Sequence, residues 1–324
     1  MSTLRAEIVP VKLEPHPNAD SLSLVKVFDY VVAVRTADWQ DKDRGVYIPV
    51  DAIVDTTRPE FSFLAEPERE MGTARVKAKK LRGVFSQGLL VPVPPDYTDD
   101  YFKLGKYQPP IRVTTGGVIV APPPVAVEYT DIENIQRYPN IFQPGEQIVV
   151  TEKIHGANAR FTYQDGKFYV GSHHQWVAED ERSIWWRALN QDQMLKDMVQ
   201  SISPMIVFGE VYGKVQDLRY GMPEEVGFRT FDIYDPARGG YLDYEEMTDR
   251  LVVNWLAWAP EIDTIEWTGL EALRYYAEQD STASRNKGDM REGIVVRPLK
   301  ERWDPTIGRV ILKLHSQRYL LRKE

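Results

Sequence analysis

The chain of 324 residues contains no cysteine. That excludes disulfides, thiolate metal sites and cysteine nucleophiles, and it leaves the redox compartment open. No run of about 18 apolar residues occurs, so no membrane-spanning helix is expected. The opening Met1-Ser2-Thr3-Leu4-Arg5-Ala6-Glu7 lacks the apolar core of a secretory signal, and a cytoplasmic location is the expectation. Internal repeats and extended low-complexity segments are also missing. An excess of positive charge is missing too: the net charge is −8, which on average speaks against contact with nucleic acid.

The average conceals a pattern. Residues 1–120 carry 16 basic and 16 acidic side chains, residues 121–299 carry 17 and 29, and residues 300–324 carry 7 and 3. Within the first segment Arg75, Lys77, Lys79, Lys80 and Arg82 place five cations in eight residues. Such a stripe suits phosphate binding, because local contacts set the counterion-release effect. It equally suits a solvated strand edge blunted by lysines.

Taken in order, residues 4–50 read as short strands at Leu4 to Leu13, Leu22 to Phe28, Tyr30 to Arg35 and Val46 to Val50, broken by Pro, Asn and Asp clusters. Thr73 to Lys80 reads as an edge strand, and Leu81 to Val91 as a turn followed by a buried strand. Many short strands with Gly and Pro turns predict a small closed barrel over residues 1–108. Residues 109–127, rich in Pro and Gly, read as a stiffened linker. From 128 to 324 the pattern is mixed α and β. A hairpin is expected at Gln164-Asp165-Gly166, and helices at Trp185 to Ser201, 244–260 and 269–279. Late strands are expected at Gly293 to Arg297 and Arg309 to Leu314.

Charged residues interrupt the apolar runs of this second part. Lys153 follows Ile148-Val149-Val150 and precedes Gly156 by three residues. A lysine at the end of a buried strand can be held rigidly at a pocket mouth, which is how an amine is presented as a nucleophile. Glu210, Asp232, Glu292 and Lys313 stand beside strand apolars in the same way. Any one of them could be an edge-strand surface residue. Burying a charge is costly unless it is paired or functional, so five such positions in one half of the chain suggest a single pocket.

These positions carry a resemblance. Glu152-Lys153-Ile154-His155-Gly156-x-Asn158, Phe208-Gly209-Glu210-Val211-Tyr212-Gly213, Phe228-x-x-Phe231-Asp232-Ile233-Tyr234, Glu292-Gly293-Ile294-Val295-Val296-Arg297 and Ile311-Leu312-Lys313-Leu314 resemble, in order, motifs I, III, IIIa, IV and V of the covalent nucleotidyltransferase superfamily. The His-Gly form of motif I with Asn158 is similar to nick-sealing type 2 RNA ligases. DNA ligases and capping enzymes usually have Asp before that Gly and Arg at the position of Asn158. His16-Pro17-Asn18-Ala19-Asp20-Ser21-Leu22 and Gly83-x-x-Ser86-x-Gly88 resemble oligonucleotide-binding (OB-fold) domains of the tRNA-binding kind.

The resemblance implies an α+β chain: an N-terminal OB-fold-like β-barrel, then a nucleotidyltransferase (ATP-grasp-like ligase adenylation) domain of antiparallel sheets with flanking helices. It implies ATP and Mg²⁺ or Mn²⁺, with Lys153 as nucleophile and Lys313, Glu292 and Asn158 acting with it. Glu152, Ile154, Gly156, Glu210, Phe231, Arg297 and Lys313 would hold ATP or AMP. Within that set Glu152 would read the adenine amino edge, Phe231 would stack on the ring, and Arg297 and Lys313 would neutralise phosphates. Glu292 and Glu210 would hold the metal, partly through water. Lys313 and the metal would favour the neutral amine of Lys153. The implied partner is a nicked duplex of RNA or an RNA/DNA hybrid, bound by a monomer, with Arg75, Lys77, Lys79, Lys80 and Arg82 touching nucleic acid. The alternatives are a DNA ligase, a GTP-using capping-type enzyme, and a non-catalytic RNA-binding protein that kept the fold. The chain departs from the pattern at His315, where a second lysine is common, and at Arg297, where a lysine is common. It departs again at His173-His174, which follow Ser172 where Arg or Lys is frequent. For the histidine pair, one inward and one outward ring on a strand is expected rather than a metal pair.

Overall fold

The computed structural model describes residues 4–65, 72–108 and 117–322. The chain forms two compact units. One comprises the described residues up to 108 together with Gln136–Pro139 and 320–322, and the other comprises 117–135 and Asn140–Tyr319. Residues 109–116 of the expected linker lie outside the described residues. Its later part is no simple tether, because Ile119–Val120 pairs antiparallel with Trp176–Val177 at the edge of a sheet. Gln136–Pro139 belongs to the first unit for a concrete reason. Its backbone and side chain bond to Asp29 and Gln87, and Arg137 pairs with Glu7 at 2.5 Å.

The first unit is built from short strands. Glu7–Pro10, Arg44–Ile48 and Leu89–Pro92 form one sheet, Glu14–Pro15, Leu22–Val27 and Tyr30–Arg35 a second, and Gly105–Lys106, Ala52–Asp55 and Thr73–Arg75 a third. The alternating pattern of Leu22–Val27 and Tyr30–Arg35 sends Val25, Val27, Tyr30, Val32 and Val34 inward around Trp39. The expected edge strand over 73–80 is two strands, Thr73–Arg75 and Lys79–Leu81, because Val76 and Ala78 turn inward between them. Lys79–Leu81 pairs with Val84–Ser86 across a turn in which Gly83 has φ of 92°. The two segments singled out in this unit meet there: Asn18 Nδ2 donates to the Arg82 carbonyl at 2.9 Å, and His16 lies 3.2 Å from that of Leu81.

The second unit holds two large sheets, antiparallel except where Glu133–Asn134 runs parallel to Leu312–Lys313. Label β1 Gln147–Lys153, β2 Ala157–Gln164, β3 Ile206–Gly213, β4 Val226–Asp235, β5 Gly293–Pro298 and β6 Leu312–His315. Strands β1, β5 and β6 lie side by side in a five-stranded sheet, and β2, β3 and β4 in a seven-stranded one. Odd-numbered apolar residues of β2 and β3 (Ala157, Ala159, Phe161, Val207, Val211) pack on helices α1 (Ile184–Asn190) and α2 (Gln193–Ser201). The single helix expected over 185–201 is two, because the Asp192 side chain caps Leu195 N–H at 3.0 Å and starts a new helix. Helix α3, Tyr244–Val253, ends before the expected 260. The chain then bonds Ala257 and Ala259 to Thr230 of β4, and Pro260 could not have continued a helix. Leu270–Ala277 forms α4. Among the described residues, no helix is long and apolar enough to cross a membrane.

Candidate active site

Lys153 is the last residue of β1, and Ala157 is the first of β2. The three residues between them carry the chain from one sheet to the other. At Gly156 a Cβ would stand 2.0 Å from the Val211 carbonyl oxygen, so only glycine lets this turn press against β3. Gly156→Ala is therefore expected to displace the turn, with a lower melting temperature and a loss of whatever chemistry Lys153 performs. An unchanged melting temperature would contradict the close approach.

Strand registry gathers the other groups. Lys153 lies opposite Gly293, which lies opposite His315, while Thr151, Val295 and Lys313 share a neighbouring row. Glu292 immediately precedes Gly293, so it arrives beside Lys153. On the other sheet Asn158, Glu210 and Arg229 form one row across β2, β3 and β4. The register of β3 against β4 slips between Phe208 and Gly209, which leaves Phe231 as the extra residue of a bulge. A bulge re-aims a side chain, and Phe231 turns to the cavity with Tyr129 behind it at 4.9 Å.

Between the sheets is a cavity of about 200 Å³. Glu152, Lys153, Ile154, Asn158, Glu210, Phe231, Arg297 and Lys313 line it. Of the pocket residues expected from sequence, Glu292 lies beside Lys153 and Gly156 lies in the turn. The walls also include Tyr129, Ile132, Tyr244, Met247, Trp258 and Ala259, which no motif announced. Trp258 and Ala259 were hidden by the expectation of a helix through residue 260.

The electrostatics are tightly interlocked. Lys153 Nζ stands 2.8 Å from Glu292 Oε2. Burial pushes the lysine down, but Glu292 and then Glu210 outweigh it and raise its pKa above the usual value. This corrects the expectation for Lys313: in the protein alone the side chains that outweigh burial at Lys153 are acids. Glu292 is pushed up by burial, yet Lys153, His155 and His315 hold it well below the usual carboxylate range. Glu210 is pushed up to about 8, by burial first and with Glu292 adding to it against the pull of Lys153. His315 lies 3.5 Å from Glu292 and is shifted down, chiefly by burial. It therefore stands as a neutral partner of a carboxylate, not as the missing second phosphate cation.

Two expected ligands are committed elsewhere. The Glu152 carboxylate accepts hydrogen bonds from Ser281 Oγ, Thr282 N (2.7 Å), Thr282 Oγ1 (2.8 Å) and Ala283 N (3.1 Å). With those contacts it anchors the 281–283 segment, which leaves it poorly placed to read a base. Arg297 donates to Asp232 at 2.7 Å and to Glu301, within a buried cluster completed by Arg309 and Tyr129. It braces the cavity wall that it also lines, and its Nε is enclosed without an acceptor. His173 and His174 sit at a bend between strands with ring centroids 4.3 Å apart, so strand alternation does not apply to them. His173 lines the cavity, and burial with His174 lowers its pKa.

Two carboxylates, Glu210 and Glu292, thus share a buried space with one lysine. Asn158 Oδ1 is enclosed with no hydrogen-bond donor. Among the described residues no group of three or more His, Asp or Glu forms a protein-only metal cage. This donor set fits a divalent cation completed by water and substrate phosphates, because hard oxygens are on offer and a second positive charge would relieve Glu210.

A family profile described as RNA ligase matches residues 146–315, and a profile for an OB-fold domain matches residues 6–93. No curated protein matches the chain. Among solved structures, the Naegleria gruberi RNA ligase with PPi is similar, with TM-score 0.83 and 23% identity over 98% of this chain and 98% of that one. A lysine-to-alanine variant of that enzyme with ATP and Mn gives TM-score 0.82 and 22% identity, over 97% of this chain and 98% of that one. A glutamate-to-alanine variant with AMP and Mn gives 0.83 and 23%, over 98% of each chain. The likeness establishes the fold: an N-terminal OB-fold domain followed by a sheet-rich domain with few helices, as expected from sequence.

Proposed function

Since this chain belongs to the RNA ligase family, we propose that it is an ATP-dependent RNA ligase that seals a 3′-OH/5′-phosphate nick in duplex nucleic acid with RNA on the 3′-OH side. The observation that carries the reading is the position of Lys153, at the crossing between two sheets, on a cavity it shares with Glu210, Phe231 and Lys313 and beside Glu292. The Naegleria gruberi enzyme described with ATP and Mn supports the choice of nucleotide and metal.

In the first step Lys153 Nζ, after one of its protons has passed to solvent, attacks the α-phosphorus of ATP. A nitrogen–phosphorus bond forms, the bond to the bridging oxygen breaks, and pyrophosphate leaves with its electron pair. Lys313, lining the same cavity, offsets the negative charge that gathers on the α-phosphate oxygens. Phe231 supplies a face on which adenine stacks. A divalent ion held by Glu292, Glu210 and the oxygen of Asn158 would draw those acids away from the lysine and neutralise phosphate charge. In the second step the oxygen of an RNA 5′-phosphate attacks the lysyl-bound phosphorus and the nitrogen leaves. In the third the 3′-OH attacks the 5′-phosphorus and AMP leaves.

The experiment is incubation of the full chain with α-labelled ATP or GTP and Mn²⁺, then addition of nicks bearing RNA or DNA on each side. A covalent AMP adduct that is discharged onto a 5′-phosphate and sealed only with RNA at the 3′-OH supports the reading. A GMP adduct without an AMP adduct, or sealing of all-DNA nicks at the same rate, overturns it.

The first unit supplies the duplex contact in this proposal. Arg75 is drawn out of the expected basic stripe, since it pairs with Asp51 at 2.8 Å and stacks on Tyr107 at 3.6 Å. Lys77, Lys79, Lys80 and Arg82 are exposed. The triple variant Lys79→Ala, Lys80→Ala, Arg82→Ala is expected to keep adduct formation. It should flatten the dependence of log affinity for duplex on log salt by about 2 to 3 units, if each cation meets a phosphate. An unchanged salt slope would make the stripe a solvated edge.

A further inference from the structure

One loop places three side chains on the turn that follows Lys153. After β3 the chain runs through residues 214–222. Gln216 Nε2 donates to the Gly156 carbonyl, and the Tyr220 hydroxyl accepts the His155 backbone N–H at 2.6 Å. Both hold the backbone. Asp217 alone among the three holds a side chain: its Oδ1 accepts the Nε2 proton of His155 at 2.6 Å. The opposite ring nitrogen, Nδ1, lies 3.5 Å from Glu292 Oε2. That same oxygen stands 2.8 Å from Lys153 Nζ. Asp217, His155, Glu292 and Lys153 therefore form one chain of contacts that begins outside the nucleotide cavity and ends on the amine.

We propose that Asp217 is a positioning residue for nucleotidyl transfer, acting through His155 on Glu292. The inference rests on the reading of Lys153 as nucleophile. An imidazole whose Nε2 donates to Asp217 and whose Nδ1 faces Glu292 at 3.5 Å cannot rotate about its last torsion without losing the Asp217 bond. With Asp217 in place, Nδ1 is kept on Glu292, and Glu292 is kept on the Lys153 side of the cavity. Without it, the ring keeps only the Tyr319 hydroxyl, 3.3 Å from Nδ1, and the more distant Glu292 carboxylate, and neither fixes Nε2. Asp217 does not line the nucleotide cavity. It lines a separate cavity of about 640 Å³ on the outer side of the loop, with Arg219, Asn286 and Arg318. Its side chain is 23% exposed while that of His155 is 3% exposed. Its removal takes nothing from the nucleotide walls and takes from His155 the acceptor at Nε2.

The test uses the full chain, labelled ATP and Mn²⁺, with the initial rate of adduct formation followed against ATP concentration. Asp217→Ala is expected to lower the maximal rate by about 10- to 100-fold, the usual effect of losing an outer partner of a metal-site ligand. The ATP concentration at half-maximal rate should stay within about twofold, because no ground-state contact to the nucleotide is removed. Asp217→Asn should recover most of the rate, since its amide oxygen accepts the same proton. The double variant with His155→Ala should be no slower than His155→Ala alone, because Asp217 acts only through that ring. If Asp217→Ala does not fold, Asp217→Ser, too short to reach Nε2, replaces it. Wild-type rates in Asp217→Ala, no recovery with Asn, or a further loss in the double variant would each overturn the proposal. A wild-type chain that forms no adduct at all overturns the parent reading and this inference with it, whereas a normal wild-type adduct with unaffected variants overturns this inference alone.

Discussion

Lys153→Ala is expected to form no nucleotide adduct, a drop beyond the roughly 10³-fold range of an ordinary assay, measured as labelled AMP retained on denatured protein. The side chain ends a strand whose neighbours Val149 and Val150 are fully buried, so its backbone has no freedom to bring another amine into place. Lys313, which lines the same cavity, sits two strands away across β5 and cannot substitute. Lys153→Arg should fail as well, because a guanidinium is always protonated and offers no lone pair. Loss of the nucleophile should still leave sealing of a nick whose 5′ end is already adenylated, since Nζ takes part in no bond of the last step. An adduct of normal yield in Lys153→Ala would mean that another residue is the nucleophile, and the whole assignment of roles around the cavity would fall with it.

Asp232→Ala is expected to destabilise the second unit by about 3 to 5 kcal/mol, the cost of leaving buried cations without their counter-charge. Asp232 on β4 is 0% exposed and accepts from Arg297 of β5 at 2.7 Å and from Arg309 at 2.7 and 2.9 Å. The Tyr129 hydroxyl donates to it as well. The cluster therefore ties the seven-stranded sheet to the five-stranded one behind the cavity. Burial pushes the Asp232 carboxyl up, but Arg297 and Arg309 more than offset this and hold it below its ordinary value. A depressed carboxyl adds stability that is present above its unfolded pKa of about 3.9 and is lost as pH falls through the folded one. The wild-type chain should thus lose stability below about pH 4 more steeply than Asp232→Asn, which has no proton to gain. Urea unfolding at pH 7 and pH 3 measures both effects. A loss under about 1 kcal/mol at pH 7 would show that the two arginines find other partners.

Much of the site was written along the chain. Each motif strand carries a charge among apolar residues, and buried strands do not tolerate such a charge by accident. Lys153, Glu210, Phe231, Glu292 and Lys313 could be named from that conflict and from the order of the motifs. What each charge touches was not legible. Glu152 and Arg297 line the cavity as expected, yet one also holds the 281–283 segment and the other also pairs with Asp232 and Glu301. The hydroxyl and amide groups that hold Glu152 lie 129 to 131 residues away, and Asp232 lies 65 residues before Arg297. Asp217 carries no signal of its own, because its partner His155 is 62 residues earlier and meets it only through the turn between sheets.

The sequence by itself determined that this chain makes short strands first and mixed elements later, and that one glycine turn follows one lysine. It pointed to the charged residues of the cavity, since local hydrophobic alternation and the cost of burying charge both act within a few positions. Only the tertiary structure decided how Lys153 is charged. Its charged form is favoured by Glu292 and Glu210 rather than freed by Lys313, because sheet registry brings Glu292 to 2.8 Å from the amine. Registry is a long-range property: a slip of one residue in β5 or β3 would move Glu292 or Glu210 to the opposite face. The chemistry of the lysine follows from the company that this registry gives it.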